Sequence, residues 1–494
     1  MKIKNLTAAL LGSAAVAFHA APALASESWS FHYDHILGTS LDIVAVAANE
    51  QFAQAAADAV NGTIQRLESL LSGWRGDSEL NALNRAYEFS ASTDLFQVIA
   101  ACERWRVETG GAFSARLGAV LEATRNEAAV APHDLGNMAA SIDSAAVTLD
   151  DAHETILRPD TVRFAVDGLA KGYIVDRALE AARSVPGIQG VMIDIGGDLR
   201  CWGHPPSTAC WRVGVVGPDN VADNVVPAIV LALNDKAVAT SGRGSRGDMI
   251  VEPQTGLPVR NVVMATAVAD SAADADALAS AFSVMSPWDS VALADRLPGV
   301  AAHIVSADGR VFTSAGWQAL VADDATASLR LAAADTRPVA GTEPWPAGFV
   351  LKVDYEVPSI NTGRRPHNPY VTAWISNEAG DSVRVLMYLA GKRRYQDENY
   401  IFWQRVGASR PDLVESVTRP TRPPGRYTLT WDGRDDKGHA VSQGKYVLNV
   451  EAAREHGGHS IQRIELMLGA APLSAQAPGQ EEIGPTQVSY GNTL

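Results

Sequence analysis

Residues 164–176, FAVDGLAKGYIVD, followed by residues 191–200, VMIDIGGDLR, decide how the first part of this chain folds. Asp167-Gly168-Leu169-Ala170-Lys171-Gly172 reads as a glycine-bearing turn from which Lys171 opens a helix over 172–183. Residues 190–195 then read as a β-strand ending in the turn Gly196-Gly197-Asp198. Glycine turns of this kind let backbone N–H groups approach a phosphate, and a helix N-terminus offers its positive end to an anion. The same residues also suit ordinary strand–helix connections, so both readings stand at this point.

Outward from this stretch, helical periodicity over 51–71, 95–107 and 274–285 alternates with β-rich runs at 41–47, 211–216 and 262–268. That pattern predicts an α/β or α+β unit spanning 28–322. Residues 323–348, rich in Ala, Asp, Thr and Pro, read as a linker. From 349 the texture becomes β-type, with runs at 349–355, 370–375, 383–388, 427–431 and 446–452, as in a small sandwich reaching residue 470. The Pro-, Gly- and Gln-bearing stretch 471–494 reads as an irregular tail.

The whole chain has 494 residues, a net charge of −15, 47 % hydrophobic residues and 20 % charged residues. This length predicts two to four domains at roughly 150 residues each. Such a composition excludes wholesale disorder and a collagen-like fibre, and the acidic balance argues against non-specific nucleic-acid binding. Lys2 and Lys4, an apolar run over 6–18 and the small-x-small site Ala23-Leu24-Ala25 read as a cleaved signal peptide of residues 1–25. No Cys follows that site, so a periplasmic protein without a lipid anchor is expected. The three cysteines, Cys102, Cys201 and Cys210, exclude a disulfide scaffold, although Cys201 and Cys210 are close enough to pair.

Asp276 and Ser280 lie four positions apart on the helix over 274–285, so they share a face. Together with a backbone carbonyl they offer hard oxygens suited to Mg²⁺; a capping Asp and a satisfied Ser is the plainer alternative.

Residues 164–176, 191–200, 237–242 (AVATSG) and 275–281 (ADALASA), in this order and spacing, resemble the ApbE-type FAD:protein FMN transferases, formerly called thiamine-biosynthesis lipoproteins. Shorter echoes are 35–39 (HILGT), 71–84 (LSGWRGDSELNALN), 110–118 (GGAFSARLG) and 252–258 (EPQTGLP). The resemblance implies an α+β ApbE-like (T-fold-like) flavin transferase domain followed by an all-β immunoglobulin-like sandwich. It implies FAD contacts at Leu37, Trp74, Ala112, Phe113, Ser114, Lys171 and Ile250, with Ser241 lining the phosphate or flavin side. It also implies Mg²⁺ held by Asp276, Ser280 and the carbonyl of Gly168.

The sequence departs from the family pattern at Ala165 and Ser114, each in place of Asp, and at Met249, in place of a His that is a candidate proton handler. Asp248 stands beside Met249 as the candidate replacement for that role, the alternative being catalysis that rests mainly on the metal, with Lys171 offsetting charge. The implied reaction transfers FMN from FAD to a Thr or Ser hydroxyl of an acceptor with a DxxTGAT-like segment, possible acceptors including membrane-bound redox subunits. Alternatives on the same site are FAD hydrolysis and flavin binding without catalysis.

The second unit resembles the immunoglobulin-like domain of flagellar-hook capping proteins and a domain of unknown function found behind these transferases. Its segment 415–421, ESVTRPT, has the layout of an acceptor, making Thr418 a candidate self-acceptor, with a surface loop as the plainer reading. Asp432, Asp435 and Asp436 could hold calcium or simply form a solvated turn.

Overall fold

The computed structural model describes residues 26–125, 131–206, 208–218, 224, 227–242, 250–322, 343–359, 368–390, 397–410, 413–414, 418–419, 421–454 and 457–492. Residues 1–25, Asp248 and most of the expected linker lie outside them.

In chain order the first region contains β1 (Glu27–Ile36), β2 (Thr39–Ala47), α1 (Glu50–Leu71), α2 (Glu79–Leu83), β3 (Glu88–Ser90), α3 (Thr93–Glu108), α4 (Gly118–Arg125) and α5 (Pro132–Asp143). Then come β4 (Thr148–Asp150), β5 (Thr155–Leu157), α6 (Asp167–Arg183), β6 (Ile188–Ile195), β7 (Asp198–Gly203), β8 (Trp211–Val215), β9 (Ile229–Leu233) and β10 (Ala237–Gly242). It closes with β11 (Val262–Ala269), α7 (Ala272–Val284), α8 (Pro287–Arg296), β12 (Ala301–Ser306) and β13 (Val311–Thr313).

Eight strands form one antiparallel sheet in the order β1-β2-β6-β7-β10-β11-β12-β13. Strand alternation decides its two faces. Leu41, Ile43 and Ala45 of β2 and Ala265 and Ala267 of β11 join the core under α1, α6 and α7. Leu199, Met264 and Val268 join a second core under the β8–β9 ribbon. Helix α1 forms because Ala53, Ala56, Ala57, Val60, Ile64, Leu67 and Leu71 recur at helical spacing and are all buried. Asn49 caps it by accepting the Phe52 N–H at 3.1 Å. Each fully buried Leu or Ile contributes about 1.5–3 kcal/mol.

The second region contains β14 (Phe349–Val357), β15 (Tyr370–Asn377), β16 (Ser382–Leu389), β17 (Thr418–Arg419), β18 (Gly425–Trp431), β19 (Gly444–Ala453), β20 (His459–Leu468), β21 (Leu473–Ala477) and β22 (Thr486–Asn492). Sheets β18-β14-β22-β21 and β17-β16-β15-β19-β20 pack through Leu351, Val353, Leu429, Val488, Ile375, Leu448 and Leu466. This is the expected all-β architecture, with one correction. The stretch read as an irregular tail supplies β21 and β22, and β22 lies inside its sheet, paired with both β14 and β21. Val488 and Tyr490 pay out their apolar surface into the shared core, which local composition does not reveal.

The two regions touch at Asn224, whose amide donates to Thr430 O (2.7 Å) and accepts the Thr430 N–H (2.9 Å) on β18. Cys201 and Cys210 do not pair, and Cys201 is buried with its thiol against Lys236 O.

Candidate active site

Of the residues expected to matter, Gly168, Lys171, Phe113, Asp276 and Ser280 come together where α6 crosses α7. Helix α6 starts at Asp167, so Lys171 sits one turn inside the helix rather than at its opening. Gly172 makes the crossing possible: an added Cβ would lie 2.2 Å from Ala272 O. Asp176, one turn further along α6, accepts the Ala272 and Ala273 N–H groups at 2.8 and 3.0 Å and thereby caps α7. Arg200 of β7 donates to the same carboxylate at 2.8 Å. Ser271 completes the cap, accepting the Asp274 N–H at 3.1 Å and donating to its carboxylate at 2.7 Å.

So fixed, α7 presents Asp276 and, one turn on, the half-buried Ser280. Asp276 is 5 % exposed and accepts the Gly172 N–H at 3.2 Å. A Cβ on Gly168 would lie 3.1 Å from Ser280 Oγ and 3.3 Å from the ring of Phe113. Gly168, Ser280 and Phe113 therefore adjoin, and Asp276 shares the helix face of Ser280.

Asp198, the first residue of β7, faces this group from the sheet. Its side chain is 3 % exposed, and Oδ2 stands 3.0 Å from Lys171 Nζ without accepting a directed hydrogen bond. The Asp198 and Asp276 carboxyls are within hydrogen-bonding reach of each other. Burial and the charge of Asp198 push Asp276 well above the usual carboxylate range, against the pull of Lys171. Burial likewise raises Asp198, opposed by Lys171. Burial alone would lower Lys171, but Asp198 and Asp276 outweigh it and hold the ammonium above its ordinary value. At the end of β6, burial and Asp42 raise Asp194 to about 7, although the Gly197 N–H donates to it at 2.7 Å.

Two further segments are tied to this crossing. Asn84, after α2, accepts the Phe164 N–H (2.7 Å) and donates to Phe164 O (2.9 Å), joining the segment around Trp74 to the start of the α6 motif. Asn81 donates to Gly73 O (3.1 Å) and Arg75 O (2.8 Å), shaping the turn that holds Trp74 at 76 % exposure. Leu37 has φ 48° and Gly38 φ 76°, a two-residue hairpin turn between β1 and β2. This turn abuts the glycine pair, because a Cβ on Gly196 would lie 2.5 Å from Thr39 Oγ1.

Ala112 and Ser114 are half-buried on either side of the buried Phe113. Ser241 pairs with Ala265 on the helix-covered face, and Ile250 O accepts the Val259 N–H at 2.8 Å beside the EPQTG turn. Sequence reasoning did not single out Asp198, Asp176 or the two asparagines. Asp198 and Asp176 stand inside the quoted motifs, but their partners lie far away along the chain.

Two expectations for the second region meet occupied groups. Thr418 is 7 % exposed and its hydroxyl donates to Val414 O at 2.6 Å, so it is not presented as a free acceptor. The carboxylates of the 432–436 turn accept N–H groups instead of calling for calcium: Asp435 those of Lys437 and His439, Asp436 that of Val385 together with Arg410. Among the described residues no helix is long and apolar enough to cross a membrane, and no three His, Cys, Asp or Glu side chains cluster as for a metal ion.

Both regions of the chain are similar to known proteins. The family described as "ApbE family" matches residues 37–304, and one described as "Predicted periplasmic protein (DUF2271)" matches residues 350–485. The FAD:protein FMN transferase of Treponema pallidum is 31 % identical over 294 residues, covering 53 % of this chain and 80 % of the relative. That of Haemophilus influenzae is 24 % identical over 259 residues, 48 % of this chain and 74 % of the relative. Among solved structures, the Thermotoga maritima ApbE protein aligns with a TM-score of 0.53 at 25 % identity, covering 60 % of this chain and all of that one. The apo flavinyl transferase ApbE of Pseudomonas stutzeri aligns at 0.52 and 19 % identity, 61 % of this chain and all of that one, a likeness of fold.

Proposed function

The chain belongs to the ApbE family, matched over residues 37–304, and from that premise we propose that it is an exported, Mg²⁺-dependent FAD:protein FMN transferase. A Thr or Ser hydroxyl of an acceptor protein attacks the FMN-side phosphorus of FAD. The phosphoanhydride bond to AMP breaks, AMP leaves, and FMN stays on the acceptor as a phosphoester. Such a reaction needs in-line positioning and charge neutralisation more than covalent help from the protein.

The observation that carries this reading is the oxygen-only group at the α6–α7 crossing. Gly168, Asp276 and Ser280 adjoin there beside one ammonium, that of Lys171. A carbonyl, a carboxylate and a hydroxyl, without His or Cys, fit Mg²⁺. When bound, the ion supplies Lewis-acid neutralisation of the diphosphate. Lys171 is placed to offset the charge that develops on the phosphoryl oxygens. Phe113 closes over Gly168 and excludes water, while Leu37, Ala112, Ser114, Ser241 and Ile250 line the flavin and Trp74 offers a ring for stacking. Asp248 takes the proton of the attacking hydroxyl.

We assign the transferase to residues 28–322 and acceptor docking to the β-sheets that follow. Export follows from the signal-like residues 1–25, and the match of 350–485 to a predicted periplasmic protein supports it. The test is incubation with FAD, Mg²⁺ and an acceptor bearing a DxxTGAT segment, read by intact mass. A phosphoester-linked FMN adduct on the acceptor that disappears with EDTA is expected. AMP release without an adduct would replace transfer by hydrolysis, and flavin binding without AMP release would remove the enzyme altogether.

A further inference from the structure

We infer that Asp198 is a second carboxylate ligand of the divalent cation held by Asp276, and that Lys171 is the placeholder for that cation while the site is without it. The inference rests on the cation-binding reading given above and assigns two residues that the ligand set of Gly168, Asp276 and Ser280 omits.

Among the described residues, three other buried carboxylates are engaged by several donors each. Asp176 accepts two backbone N–H groups and Arg200. Glu451 accepts the Ile401 and Phe402 N–H groups and pairs with His459. Asp436 accepts the Val385 N–H and Arg410. Asp198 differs: its buried Oδ2 accepts no directed hydrogen bond from the backbone, stands 3.0 Å from the Lys171 ammonium and lies beside the Asp276 carboxyl. A buried carboxylate oxygen in that condition needs a cation.

Two buried carboxyls face each other in a water-poor crossing beside the one ammonium of Lys171, an arrangement of hard oxygens that offers a further cation two ligands. A divalent cation between Asp198 and Asp276 would give both carboxyls a counter-charge, and Asp276 shares the helix face of Ser280, which adjoins Gly168. Lys171 then has a reason for its position. Its ammonium is a point charge on a flexible four-carbon stem, and its side chain is 31 % exposed, so it can leave Asp198 without any backbone movement. The cation's arrival releases it toward the substrate's diphosphate.

The test uses the full mature chain, without flavin, and Mn²⁺ as the probe, with free Mn²⁺ counted by electron paramagnetic resonance. Asp198→Asn, the same size and without the charge, is expected to weaken Mn²⁺ binding about 10–100-fold. Lys171→Met is expected to tighten it by about tenfold, because a competing positive charge is gone. Asp276→Asn is expected to abolish it. Asp198→Asn within twofold of the parent, while Asp276→Asn loses binding, would overturn the role of Asp198 and leave the cation site standing. Equal Mn²⁺ binding by the parent and Asp276→Asn, or none by the parent, would overturn the cation site and this inference with it. Thermal unfolding reports whether Asp198→Asn folds; if it does not, Lys171→Met decides, since misfolding cannot tighten binding, and an unchanged affinity there overturns the placeholder.

Discussion

Gly172→Ala puts one methyl group where α6 meets the backbone of α7. The new Cβ would lie 2.2 Å from Ala272 O, 2.5 Å from its carbonyl carbon and 2.8 Å from Ala273 N. Backbone cannot turn aside as a side-chain tip can, so the helices must part by about 1 Å to restore ordinary contact. That displacement falls on the bonds that fix the site: Ala272 and Ala273 N–H to Asp176 at 2.8 and 3.0 Å, and Gly172 N–H to Asp276 at 3.2 Å. Overpacking costs about 1–3 kcal/mol and weakened bonds to charged acceptors about 1–2 more. Alanine's better helix propensity returns about 1 kcal/mol. The net loss of about 1–4 kcal/mol corresponds to a melting temperature roughly 3–12 °C lower. Thermal unfolding of the full chain by circular dichroism measures it, with Gly62→Ala as the control. Gly62 lies in α1 with nothing within 4 Å of an added Cβ, so the same exchange there is expected to stabilise. If Gly172→Ala melts at or above the parent while Gly62→Ala also rises, the close crossing is not what positions α7.

Two further outcomes follow from the same surroundings. Asp176→Asn turns one acceptor oxygen into a donor facing either Ala273 N–H or Ala272 N–H and Arg200; a loss of about 1.5–3 kcal/mol is expected in thermal unfolding, and a shift below 1 °C would refute the cap. Asp194 has a folded value of about 7 against 3.8 for the free side chain, so the folded state holds the extra proton. Stability from this group is therefore fullest below about pH 4 and is lost as pH rises to about 7, by up to about 4 kcal/mol. Asp194→Asn, which still accepts the Gly197 N–H, is expected to flatten that part of the melting-temperature profile in cation-free buffer; an unchanged slope would refute it.

How much of this was legible depended on the range of the interactions. Helix α1 was readable almost to the residue, because its seven buried positions and its Asn49 cap are local. The glycine pair at 196–197 was readable for the same reason: Gly196 and Gly197 take φ 59° and 97°, which the turn after β6 requires. Strands β21 and β22 were not, since Pro, Gly and Gln signal loops locally and only β14, far upstream, makes Thr486–Asn492 an inner strand. At the site, Asp276 and Ser280 share a face by helical spacing alone. Asp198 needed the fold, because its meaning comes from Lys171 on one helix and Asp276 on another. Lys171 was misplaced by one turn, since a glycine at 168 reads as a turn although α6 already runs through it.

The departures from the family pattern are not scattered evenly over the chemistry. They fall at Ala165 and Ser114, each in place of an Asp, and at Met249, in place of the His that the resemblance makes a candidate proton handler. The group we propose deals with charge is intact in kind: a lysine at 171, a carboxylate at 276, a hydroxyl at 280 and a bare backbone at 168. For a phosphoryl transfer that asymmetry is chemically coherent. In a loose transition state the attacking oxygen has formed little bond and is only weakly acidified, so a general base contributes less than the groups that neutralise the phosphoryl oxygens. Losing a base costs about 10²–10⁴-fold in rate. Losing charge neutralisation in a buried site leaves like charges facing each other with no substitute within reach. A chain that gives up the first and keeps the second retains what this reaction needs most.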